Sequence, residues 1–319
     1  MKLNELDHVP ARLLELPATE LHKVLDGPTL IHLQGQNPQP LFVTVLQHGN
    51  ETTGWEAIRR LLRSHYEFDQ LPRSLSILIG NTEAARYRLR RLDDQLDYNR
   101  CWPGGLHEDS DIGKMFQQVT DRVRSLSPIA AIDIHNNSGL NPHYAAINRI
   151  RPDFLRLASY FSSKVVYFTM PLGTQSLSLS RLFPSTTLEC GQAGEVHGTD
   201  HCMGFLETLL HLGEIPNSPI GADDVHVFHM VATVRMHEDT LFGTDSAAKQ
   251  EELAPKYGFE VLANIQYSRD APDMSSEILK AKSLNPDVLL PTSYSADALL
   301  IERTRKDLDF NPKAVLAQN

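Results

Sequence analysis

Four short apolar runs, each closed by a polar residue, constrain this chain of 319 residues more than any other feature. LFVTVLQHG ends on His48, SLSILIGN on Asn81, IAAIDIHN on His135, and STTLECG carries Glu189. LFVTVLQHG is a short run rich in β-branched residues, and the others follow its style, which fits buried strands. TLIHLQG and KVVYFTM are of the same style, and residues 52–65 place Trp55, Ile58, Leu61 and Leu62 at helical spacing. Strands of this kind alternating with helices imply an α/β fold, a mixed central sheet with helices on both faces. In such sheets ligands and chemistry collect at the carboxyl ends of strands. His48, Asn81, His135 and Glu189 all belong at such ends, a convergence that packing does not demand.

Composition narrows the function. Hydrophobic residues make up 41% and charged residues 22%, the balance of an ordinary globular protein. The net charge is −10 and no long basic run occurs, so neither nucleic acid nor an anionic membrane is an expected partner. No stretch supplies 18 consecutive apolar residues, and the acidic N-terminus does not read as a signal or transit peptide. The three cysteines, Cys101, Cys190 and Cys202, form no disulfide framework and no C-x2-C zinc motif. A reducing cytoplasm is the expected setting.

His48 and Glu51 form H-x-x-E, and a turn brings such residues to one ion. Imidazole nitrogen and carboxylate oxygen both suit zinc, which in catalytic sites takes three protein ligands and keeps one open position. With 14 histidines in the chain such a pair also arises by chance, so a third ligand from another strand is required. His135 is the best candidate, and Asp133, two residues earlier on the same strand, can support it from behind.

HGNETTG, LDYNRCWPGG, DIHNNSG and TLECGQAGEVHG follow one another in that order. Over about residues 29–235 the chain thereby resembles the succinylglutamate desuccinylase and aspartoacylase family of zinc carboxypeptidase-like hydrolases. The resemblance implies one zinc ion per chain, on His48, Glu51 and His135, and a water-activating general base at Glu189. It implies that Asp97, Asn99 and Arg100 form the substrate-binding D-x-N-R motif, with Asn99 and Arg100 on the substrate carboxylate, a task that suits a guanidinium fork. It also implies an arginine for the oxyanion shortly before that motif, Arg91 as first choice and Arg90 as second. His197 either lines the pocket or caps a turn, and His143 and Tyr144 are further candidates for substrate contact. His107, His201, His211, His226 and His229 read as surface or packing residues, and Cys190 as a small buried one. The implied activity is hydrolysis of the linear amide of an N-acyl amino acid or a similar small carboxylate-bearing substrate.

The C-terminus departs from this pattern. Residues 1–221 read as the catalytic domain, and 222–236, with VHVFHMVATVRM, as the start of a truncated β domain. Residues 237–319 resemble part of a periplasmic branched-chain amino-acid-binding protein, a partial α/β segment with helices expected over FGTDSAAKQEELAPKYG, MSSEILKAKSLN and ALLIERTRKDLD. FEVLANIQY, PDVLLPTSYS and KAVLAQN are its expected strands. The chain therefore reads as a chimera. Two alternatives follow: a metal-binding but catalytically impaired protein, and an amino-acid-binding module built on the C-terminal segment.

Overall fold

The computed structural model describes residues 2–66, 70–137, 139, 141–221, 223–230, 242–268, 271–293 and 295–315. The chain divides into two compact units, Met1–Val231 and Ala232–Asn319.

The first unit is built on nine strands: β1 (Asn4–Leu6), β2 (Thr29–Leu33), β3 (Gly35–Val45), β4 (Leu71–Ile79), β5 (Ala131–His135), β6 (Tyr144–Ile147), β7 (Lys164–Tyr167), β8 (Ser185–Glu189) and β9 (His226–His229). They form one sheet in the order β1-β2-β4-β3-β5-β8-β6-β7-β9. β4, β3, β5 and β8 are consecutive and parallel, whereas β2 and β6 run antiparallel to this central group. The four runs with polar ends are thus four neighbours pointing the same way.

Six helices flank the sheet: α1 (Thr53–Tyr66), α2 (Thr82–Arg86), α3 (Asp111–Leu126), α4 (Pro152–Ser159), α5 (Gln175–Leu179) and α6 (Val196–His211). Successive strand residues face opposite ways, and the apolar runs supply a core to each side. Val43, Val45, Ile77, Ile79, Ile132 and Ile134 pack with Trp55, Ile58 and Leu61 of α1, Leu157 of α4 and Phe205 and Leu209 of α6. Phe42, Leu78 and Ala131 pack with Met115, Phe116 and Val119 of α3, Leu179 of α5, and Trp102. This is the expected mixed sheet covered on both faces.

The segment expected to begin a β domain behaves differently. Its described strand, β9, pairs parallel to β7 as an edge of the central sheet, and all four of its residues are exposed rather than half-buried. The remainder of that expected domain, Ala222 and residues 231–236, lies outside the described residues, as do the first residues of the C-terminal segment, 237–241.

The second unit contains α7 (Phe242–Leu253), α8 (Ser275–Ser283) and α9 (Ser295–Asp307), with β10 (Val288–Leu289) and β11 (Ala314–Val315) paired in parallel. All three expected helices form, and α8 and α9 pack around a small core of Met274, Ile278, Ala281, Ile301 and Phe310. The expected strand FEVLANIQY does not form; its residues are in irregular conformation and find no ladder partner among the described residues. Of KAVLAQN, residues 316–319 lie outside the described ones.

Candidate metal and catalytic site

The loop after β3 closes a turn in which the Glu51 backbone N–H donates to the His48 carbonyl at 3.1 Å, bringing both side chains to one side. His135 enters from the last position of neighbouring β5. His48 Nδ1 lies 2.8 Å from Glu51 Oε1, His135 Nδ1 lies 2.7 Å from Glu51 Oε2, and the two Nδ1 atoms are 3.2 Å apart. Among the described residues this is the one group of three or more His, Cys, Asp or Glu whose ligand atoms all lie within 4.8 Å of one another. All three residues are buried.

The donor set suits a divalent cation of zinc type. Both imidazoles turn Nδ1 inward, and each donates its other nitrogen to a carboxylate behind it: His48 Nε2 to Asp97 Oδ1 at 3.0 Å, His135 Nε2 to Asp133 Oδ2 at 2.9 Å. Histidine metal ligands are oriented in this way by carboxylates. Burial opposes the ionisation of Glu51, but His135 and His48 outweigh it and hold its carboxyl well below the usual range. Burial likewise opposes charge on His135, yet Asp133 and Glu51 hold its pKa well above the ordinary value. Without an ion His135 thus holds a proton against the Glu51 carboxylate, and a metal bound there would displace it.

Glu189 ends β8 directly opposite His135 in the parallel register, and Tyr144 stands opposite Glu189 on the other side. The three side chains thus share one face of the sheet. Burial pushes the Glu189 carboxyl up to about 7, with His135 opposing and Glu51 and Asp133 adding to the rise. Its Oε2 is buried without a hydrogen-bond partner. Tyr144 is pushed up by burial, then by Glu189 and Glu51, and stays a neutral hydroxyl.

The arginines divide their work. Arg90 reaches the cluster, its guanidinium donating to Glu51 Oε1 and Asp97 Oδ2, both at 3.1 Å. Arg91, the first choice from sequence, turns away; its Nη1 donates to the loop carbonyls of Leu92, Asp93 and Gln95. The two adjacent side chains thus point apart. Arg90 remains 47% exposed, with room to meet a substrate.

The D-x-N-R residues lie on a short 3-10 turn, Tyr98–Arg100. Asp97 accepts from His48, Arg90 and the Asn99 backbone N–H, so its carboxylate is occupied holding the site rather than a substrate. Asn99 is occupied likewise: Oδ1 accepts from the Gln175 backbone N–H at 2.9 Å, and Nδ2 lies 3.0 Å from His135 Nε2 and 3.3 Å from Asp133 Oδ2. Arg100, half-buried, donates to the Asn99 carbonyl at 2.6 Å. His197 is exposed on the first turn of α6, its ring centroid 4.9 Å from that of His143. A Cβ at Gly191, where φ is +73°, would stand 3.1 Å from His143 Nε2, so this position admits only glycine.

Asn81, the fourth strand-end residue, is structural: it caps α2 through the Ala84 N–H and donates to Gln95. Asn136 is the residue that sequence reasoning missed. Its backbone N–H donates to Glu51 Oε2, its Oδ1 accepts from the Thr53 N–H, and its Nδ2 donates to Thr53 Oγ1 and the Gly191 carbonyl. It clips three loop ends together, and its place directly after His135 was the available signal. Cys190 is fully buried against Cys202, and burial pushes its thiol well up, the opposite of an activated nucleophile.

The family model of the succinylglutamate desuccinylase/aspartoacylase catalytic domain matches residues 41–206, just over half of the chain. Among solved structures, a succinylglutamate desuccinylase from Chromobacterium violaceum aligns with a TM-score of 0.52 at 18% identity, covering 65% of this chain and 73% of that one. Another, from Vibrio parahaemolyticus, aligns at 0.51 and 18% identity, covering 66% and 68%. These likenesses concern the fold. Among curated proteins, the Leu/Ile/Val-binding protein homolog 7 of Brucella abortus (strain 2308) is 31% identical over 81 residues, 25% of this chain. The chain spans about a fifth of the length of that relative. Among the described residues no helix is long and apolar enough to cross a membrane.

Proposed function

Because the chain belongs to the succinylglutamate desuccinylase/aspartoacylase family, we propose that it is a zinc-dependent hydrolase cleaving the linear amide of an N-acyl amino acid or a similar small carboxylate-bearing substrate. One observation carries the reading: three convergent ligands stand beside a half-buried Glu189 whose buried Oε2 has no hydrogen-bond partner. His48, Glu51 and His135 would hold the ion. Zinc there would supply Lewis acidity toward the scissile carbonyl and lower the pKa of nearby water toward about 7.

The chain's own groups do the rest. Glu189, poised near neutrality by its burial, takes the proton of the attacking water and returns it to the leaving nitrogen. Arg90 is our choice for the charge that develops on the carbonyl oxygen, because its guanidinium is already within reach of Glu51. Arg100 receives the substrate carboxylate in a bidentate fork. Asn99 contributes by holding Asp133 and the Gln175 backbone. His143, Tyr144 and His197 line the approach beyond Glu189.

Protein purified without added metal should carry one equivalent of zinc and release amine from at least one member of an N-acyl amino acid panel. His135→Ala should abolish both. Absence of stoichiometric metal, or a zinc-loaded chain inert toward the whole panel, overturns the reading.

We further infer that the chain joins parts of two families. The family match ends at residue 206, the residues beyond 231 form their own compact unit, and the Brucella relative supports the second origin. Amino-acid binding by that segment is the second reading. Calorimetry with leucine, isoleucine and valine decides it: saturable binding that survives His48→Ala favours it. Three free, buried cysteines support a cytoplasmic setting.

A further inference from the structure

Behind His135 a hydrogen-bond chain runs into the core on the side covered by α3. Trp102 Nε1 donates to Gln47 Oε1 at 2.7 Å, Gln47 Nε2 donates to Asp133 Oδ1 at 2.6 Å, and Asp133 Oδ2 accepts from His135 Nε2 at 2.9 Å. Gln47 is 1% exposed, and Trp102 and Asp133 are fully buried. Gln47 and Trp102 have no place in the chemistry described above, and 55 positions separate them in the chain.

The direction of the first two links is forced. An indole N–H only donates, so the Gln47 carbonyl oxygen faces Trp102 and its NH2 group must face Asp133. A backbone N–H also only donates, so Gln175 turns the Asn99 oxygen toward itself and the Asn99 NH2 toward Asp133. Asp133 thus receives one amide on each oxygen and keeps lone pairs for His135. Its acceptor character holds a hydrogen of that ring on Nε2, which Asn99 Nδ2 also approaches to 3.0 Å, and Nδ1 is the nitrogen that faces Glu51 and His48 and would meet the ion.

We propose that Gln47 and Trp102 are positioning residues of the metal centre, a donor-polarised chain that fixes how Asp133 accepts and so presents His135 Nδ1 to the ion. The proposal rests on the metal-hydrolase reading above. Buried amides are retained in a core when every partner is satisfied, and here Gln47 is satisfied at both ends. Trp102 has a second attachment that holds the donor still: its ring stacks on Phe116 of α3 with centroids 4.4 Å apart.

The test is the zinc dissociation constant of the full chain, measured by chelator competition. Gln47→Leu should weaken zinc by roughly 10–100-fold, the range for removing an outer partner of a ligating histidine. Trp102→Phe, which keeps an aromatic ring against Phe116, should weaken it by a smaller factor, and the double variant should bind no worse than Gln47→Leu, because the chain is already cut. The visible spectrum of the cobalt-substituted protein should shift in Gln47→Leu. It should stay unchanged in Val119→Ala, a truncation in the same core cluster that lowers stability alone. Wild-type affinity in both single variants overturns the proposal, as does full additivity in the double. If Gln47→Leu fails to fold, Trp102→Phe decides alone. A wild-type protein that takes up no zinc fails differently: it overturns the metal-hydrolase reading itself and the proposal with it.

Discussion

Two apolar runs of similar make-up reach different ends in this molecule. Leu41–Val45 of β3 is completely buried and paired on both sides, to β4 and to β5. Residues 259–267 carry a comparable mix, yet Phe259 is 61% exposed and the run is irregular. β propensity describes fitness for a pleated, half-buried surface, not a backbone preference that acts alone. Among the described residues the first unit supplies nine strands in one sheet, and the second a pair of two residues each. A run becomes a strand where neighbours satisfy its N–H and C=O groups. The same contrast governs function. Rigid, paired strands deliver His135 and Glu189 side by side, whereas among the described residues the second unit has no cluster of three metal-ligating groups.

The largest effect should come from the buried strand end. Glu189→Gln keeps shape and should keep zinc, but it removes the base, so amide hydrolysis should fall by about 10²–10⁴-fold. Steady-state rates with a metal determination on the same sample check this. Retained activity would remove Glu189 from the mechanism and weaken the contrast between the units. Next in size is Phe42→Ala. It opens a cavity under α3 in a residue with no exposure and should cost about 3–5 kcal/mol in chemical unfolding.

A third effect is pH-dependent. Burial raises the Glu189 carboxyl from 4.5 to about 7, so the folded state binds this proton more tightly than the unfolded chain. The linked stability is fully present below about pH 4.5 and is lost as pH rises through about 7, amounting to about 3 kcal/mol. In chelator-stripped protein, the unfolding free energy of the wild type should fall across that window relative to Glu189→Gln. Parallel pH profiles of the two proteins would contradict the assignment.

Much of the first unit was legible from the chain because its signals are local. Apolar runs with polar ends gave the parallel strands, H-x-x-E gave a turn with two ligands, and the Asp133–His135 spacing put both side chains on one face. What escaped was relational. Arg90 and Arg91 are alike in sequence, and a loop bend sends their side chains to different partners. Asn136 matters because three loops converge on it, and Gln47 because Trp102 lies across the core. β9 is legible as a strand, but its pairing with β7 is not. In the second unit, helices were legible because each satisfies its own backbone, and the strand 259–267 was not, because its partners are a property of the surroundings.

That distinction yields the smallest and most discriminating prediction. Within the run 259–267, Ile265 and Tyr267 pack against the core of Met274 and Ile278, while Phe259, Val261 and Leu262 face solvent. Phe259→Ala should therefore change stability by no more than about 0.5 kcal/mol, the size of an ordinary surface substitution. Ile265→Ala should cost more, because it removes apolar contact from that core. Hydrogen exchange read on peptides of the second unit separates the two variants from any change in the first. A loss of several kcal/mol on Phe259→Ala would mean that this run is held as β3 is held. The contrast between paired and unpaired apolar segments would then fail at the point where it is drawn most sharply.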